Sequence, residues 1–142
     1  MKDNINALDE INKGCTMGIQ AINNLMDKIS SQDFKAELNK QLKNYDKIED
    51  KIQDVYNNYS SDEPHEVGPM AKVMSDWMMN MQTMMDPTDS KIAELLMQGT
   101  NMGIIEGRKI INNKNINEDI KDLIEDFITM QEKDVEYLKK YL

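Results

Sequence analysis

Apolar residues return along this chain every three or four positions, and each run that does so is bounded by breakers. Leu8, Ile11, Cys15, Gly18, Ile22, Leu25 and Ile29 alternate spacings of three and four, the repeat of a helix seam packed against its neighbours. The spacing predicts a first helix from about Ile5, with Asp9, Glu10, Lys13, Gln20, Asn23 and Asp27 off the seam and in water. At Ser30 the pattern stops. Ser30 with Asp33, and Ile29 with Phe34, read as the cap and staple of a second helix, and so short a turn makes the pair an antiparallel hairpin. Phe34, Leu38, Leu42, Tyr45, Ile48, Ile52, Val55 and Tyr59 form the second apolar face. Lysines and aspartates, including Lys40, Lys47, Asp46 and Asp50, form its solvated face, and Glu49 lies on the edge of the stripe.

Residues 60–69 are the richest in breakers, holding Pro64, His65, Gly68 and Pro69, and read as a loop that ends with proline in the first turn of a new helix. Met70, Val73, Met74, Trp77, Met78, Met81, Met84 and Met85 then follow an amphipathic spacing that predicts a third helix over 69–85. At 1.5 Å per residue such a helix covers about 25 Å, enough to carry the chain from one end of a bundle back to the other. Asp86-Pro87 closes it, with Asp86 or Thr88 as the cap of a fourth helix. Ile92, Leu95, Leu96, Gly99, Met102, Gly103, Ile110 and Ile111 supply the face of the fourth, and Glu106 lies beside its glycines. Residues 112–117 read as a turn with Asn115 and Glu118 in capping-box spacing. Ile120, Leu123, Ile124, Phe127, Met130, Tyr137, Leu138 and Tyr141 mark a fifth helix.

Two of these helices share a pattern. Gly14-Cys15-Thr16-Met17-Gly18-Ile19 returns eighty-five residues later as Gly99-Thr100-Asn101-Met102-Gly103-Ile104, and Gly107 extends the later row. The same shift pairs Leu25 with Ile110, Leu38 with Leu123, Leu42 with Phe127 and Glu49 with Asp134. One hairpin (1–59) thus reads as a diverged copy of the other (87–142), joined through 60–86, in a single domain of 142 residues. The expected fold is all-α, a four-helix bundle of two duplicated hairpins and a long Met-rich crossover helix. Glycine costs roughly 1 kcal/mol against alanine inside a helix. Gly14, Gly18, Gly99, Gly103 and Gly107 are therefore expected at close helix contacts, with the first and fourth helices approaching along the two rows.

Composition narrows the chemistry. A net charge of −9 and a pI near 4.6 argue against nucleic acid, which needs clustered Lys and Arg, and against an anionic membrane surface. No run reaches the ~18 apolar residues of a membrane span, and no signal-peptide h-region follows Met1, so the expected compartment is the cytoplasm. Cys15 is the only cysteine and reads as a small buried hydrophobe. No glycine-rich loop separates a strand from a helix, and Cys15 and His65 lie too far apart in the predicted elements for a nucleophile and base.

Taken with the duplicated hairpins, the stretches 77–86 and 92–104 resemble those of ferritin-like bundle proteins from low-GC spore-forming bacteria. The resemblance implies a ferritin-like fold and a link to sporulation or stress. Di-iron members of that superfamily place a Glu on one helix of each hairpin and Glu-x-x-His on the other. Here Glu49-x-x-Ile52 and Asp134-x-x-Tyr137 stand in the equivalent places and lack the imidazole. The expected function is therefore a non-catalytic structural or protein-interaction bundle without a cofactor. A metal-handling alternative draws on Met74, Met78, Met81 and Met85, whose thioethers suit Cu(I), or on Glu49, Glu106 and Asp134. The Met face, with Met70, Met74, Trp77 and Met81, is otherwise expected either in the core or as the surface for a protein partner or for self-association.

Overall fold

The computed structural model describes residues 2–60, 76–81 and 83–142, and the described residues form helices and turns without a strand. Helix α1 (Lys2–Leu25) ends in a 3₁₀ turn (Met26–Lys28), and α2 is Gln32–Tyr56. A short helix, α3, is described over 76–81. Helices α4 (Asp89–Asn113) and α5 (Glu118–Leu138) follow, and a 3₁₀ turn (Lys139–Tyr141) closes the chain. Apolar faces from all five helices meet in one core, in which Leu8, Ile11, Phe34, Ile52, Met81, Ile92 and Phe127 are completely or almost completely buried.

Hydrogen bonds at the two ends set the topology. At one end Asn117 N–H donates to Asn4 Oδ1 at 2.9 Å and Asn115 N–H to Asp3 at 3.2 Å, holding the α4–α5 turn against the start of α1. Tyr59, just past α2, donates to Asp119 at 2.7 Å and accepts from Asn117 at 2.9 Å. At the other end the Asp89 carboxylate accepts from Ser30 N–H at 2.9 Å and Ser31 N–H at 3.0 Å. Tyr141 stacks on Phe34 with centroids 4.2 Å apart and donates to Asp33 at 2.6 Å. Helix α1 packs beside α2 and α4, and α5 beside α2 and α4, so every adjacent pair is antiparallel. Helix α2 thus finishes at one end of the bundle and α4 begins at the other.

Asp89 therefore serves two sites, the start of α4 and the turn between α1 and α2. Asp89→Ala is expected to cost about 1–3 kcal/mol, because it strips a charged acceptor from two backbone donors. Urea denaturation measures it, and an unchanged midpoint would show the contact to be inert.

Several boundaries differ from the sequence expectation. Ser31, not Ser30, caps α2, accepting from Phe34 N–H at 3.2 Å. Of the two caps open for α4, Thr88 is the one used, accepting from Lys91 N–H at 3.1 Å as the sequence allows, while Asp86 takes φ 46° in the turn before it. The cap of α5 is Asn117, without a side-chain cap bond, so the Asn115–Glu118 box does not form. The third helix does not run to Met85: Met84 and Met85 follow its end, and Met85 is 88% exposed. Its expected start, with Met70 and Met74, lies outside the described residues, as does His65.

Candidate functional site

The centre of the bundle is built around glycine sockets. A Cβ on Gly18 would meet the Tyr45 ring at 2.7 Å, one on Gly99 would meet the Trp77 ring at 2.4 Å, and one on Gly103 would meet Gln131 at 2.4 Å. At Gly107 the neighbour is Ile128, at 2.9 Å. Real Cβ atoms do not approach so closely, so a side chain at any of the four would force its neighbour to move. The expected partner was the opposite glycine row. The atoms filling the sockets come instead from α2, α3 and α5. Gly14, Gly18, Gly99 and Gly103 do border one common space, but only about 10 Å³ of it is left once Tyr45, Trp77, Gln41 and Gln131 have entered.

That centre is polar where apolar spacing predicts none. Gln41 and Gln131 are each 2% exposed. Gln41 Nε2 donates to Glu37 at 3.2 Å, and Gln131 Nε2 to the Tyr45 hydroxyl at 3.4 Å. Thr100 returns its hydroxyl to Leu96 O at 2.8 Å, and Trp77 Nε1 donates to Leu95 O at 3.0 Å. Burial, reinforced by the charge of Asp134, pushes the Tyr45 hydroxyl well above its ordinary value, so it stays protonated. Burial also raises the Cys15 thiol, with Glu49 adding to the effect. A thiol so held is a poor nucleophile.

Asp134 marks the outer edge of this cluster. It is buried at the floor of a groove of about 440 Å³ between α2 and α5, where Glu37 faces it and Lys40, Lys47, Lys51 and Lys133 stand around the opening. Desolvation first, and the charge of Glu37 second, push its carboxyl up to about 8. Asp134 Oδ2 and Gln131 Oε1 are both buried without a hydrogen-bond donor among the described residues. They sit three positions apart on one helix, and protonation turns an acceptor-only carboxylate into a group with a donor of its own.

The carboxylate set of the metal-handling alternative does not come together. Among the described residues no three His, Cys, Asp or Glu side chains come together, so Glu49, Glu106 and Asp134 do not form one site. Glu106 faces Lys109 at 3.7 Å, and Asp134 has Glu37 as its carboxylate neighbour. Of the thioethers, Met78 and Met81 are buried while Met85 points away into solvent. Trp77 and Met81 are buried too, which removes them from a free partner surface: the glycine at position 99 draws Trp77 inward. Tyr137, expected on the inner face of α5, is 46% exposed, because Gln131 and Asp134 occupy that face.

Among the described residues no helix is long and apolar enough to cross a membrane. Comparison with curated proteins and with solved structures gives no match. Residues 3–113, from the start of α1 to the last residue of α4, match a family described as a domain of unknown function, DUF2383. The match covers most of the chain, which therefore belongs to the DUF2383 family.

Proposed function

We propose that this chain is a single-domain, cytoplasmic, ferritin-like bundle of two duplicated hairpins that works by protein interaction and not by catalysis, in a process linked to sporulation or stress. The observation that carries the reading is the filled centre. Where a di-iron relative holds its metals between carboxylates and imidazoles, Tyr45, Trp77 and Gln131 seat in glycine sockets around about 10 Å³ of space. That volume is about one water and far below a substrate pocket. The duplication rests on the repeat of the glycine pattern after eighty-five residues. The sockets follow it only in part: Gly18 of α1 receives Tyr45 of α2, whereas Gly103 of α4, the counterpart of Gly18, receives Gln131 of α5, one position past Met130, the counterpart of Tyr45.

Ferrous ion titrated into the metal-free protein in air tests the proposal. The expected result is no saturable uptake and oxidation no faster than in buffer. Binding of about two irons per chain with accelerated oxidation, the behaviour of a di-iron carboxylate site, would overturn it.

A further inference from the structure

Helices α4 and α5 present a second feature, on the outside of the bundle. A groove of about 330 Å³ runs between them, floored by Ile104 and Ile128 and edged by Ile105, Arg108, Lys109 and Glu132. Its lining is largely apolar. Ile105 is 52% exposed, and a β-branched residue there adds nothing to helix propensity. Arg108 is the sole arginine among 17 basic residues in the chain. It lies half exposed beside Ile105, holding Glu125 at 3.2 Å. An exposed aliphatic knob, an apolar hollow and one arginine are the composition of an interface centre, where arginine is enriched and lysine depleted.

We propose that this face joins two copies of the chain about a twofold axis. The inference rests on the interaction reading above and names its partner. Self-complementarity identifies the second copy as the occupant. The face carries the exposed Ile105 together with the hollow of Ile104 and Ile128 that would receive it, and carries Glu132 together with Arg108 and Lys109, which also hold Glu125 and Glu106 of their own chain. Glu132 makes no ion pair among the described residues. An isologous contact needs both halves of each match on one surface, because every contact is made twice. Ile105 of each copy enters the hollow of the other, and each Arg108 comes opposite Glu132 of the partner subunit. A dissimilar partner would require only one half of each match.

Sedimentation velocity of the full chain from about 1 µM to about 200 µM tests this. A concentration-dependent dimer is expected, and Ile105→Glu should weaken it at least about tenfold with little change in thermal midpoint, since the side chain is half in water. Arg108→Glu should weaken it as well, and adding Glu132→Arg should restore it. Gln53→Glu, which adds the same charge on the exposed side of α2, should leave it intact. A protein monomeric throughout, a dimer that survives Ile105→Glu, or equal weakening by Gln53→Glu would each overturn the proposal. None of these touches the non-catalytic reading, which stands or falls on the iron titration.

Discussion

Asp134→Asn is expected to make the bundle more stable above neutral pH and to flatten its pH dependence. In the unfolded chain Asp134 releases its proton near the ordinary value of 3.8, whereas the folded protein holds that proton up to about 8. Between those values the folded state binds more protons than the unfolded state, so stability falls as pH rises through the window and levels off above it. The displacement of about four units corresponds at its limit to roughly 6 kcal/mol. Relaxation of the groove and solvation by its lysines lower what is realised, and we expect about 2–4 kcal/mol. Asparagine carries no charge at any pH and adds an N–H donor to the site. Urea midpoints of the two proteins should therefore converge below about pH 4 and separate steadily upward. Glu37→Gln removes the second cause of the displacement and should move the wild-type inflection to lower pH. Parallel stability curves for Asp134→Asn and wild type would show that Asp134 is ionised in the folded protein without cost.

The helices were legible because a core-facing stripe repeats at helical spacing whatever lies opposite it. The details that failed depend on partners far away in sequence. Ser30 reads as a cap from its neighbours, yet Asp89, some sixty residues on, takes the N–H groups of both Ser30 and Ser31 and moves the cap to Ser31. Methionine spacing continues through Met85, but the left-handed turn at Asp86 needs the chain out of the helix before it. Gln41 and Gln131 have no place in the apolar stripes, because hydropathy cannot see a buried hydrogen bond. A signal existed in the glycines: five of them inside helices announce close packing. It could not say that the visitors would be Tyr45, Trp77, Gln131 and Ile128. The shift of eighty-five residues paired Glu49 with Asp134 as equivalent carboxylates. In space Asp134 faces Glu37 instead, because α5 packs against α2 so that the first turns of one meet the last turns of the other.

The pairing of Trp77 with Gly99 makes the sharpest test of the socket arrangement, because it predicts a change of sign. Trp77→Ala should cost about 3–5 kcal/mol, the loss of a large buried ring together with its cavity. Gly99→Ala alone should cost about 1–3 kcal/mol, even though alanine favours a helix by roughly 1 kcal/mol. The reason is that its Cβ would stand 2.4 Å from the Trp77 ring, and the ring cannot withdraw freely while Nε1 is bonded to Leu95 O at 3.0 Å. Once Trp77 has been truncated, that obstacle is gone. Gly99→Ala should then stabilise by about 1 kcal/mol, through helix propensity and partial filling of the vacated space. The double-mutant cycle would thus show a coupling of about 2–4 kcal/mol, at the upper end of what residues in direct contact display. Thermal or urea unfolding of the four proteins measures it. If Gly99→Ala carries the same cost with and without Trp77, then its penalty arises on α4 itself and the ring does not occupy the socket.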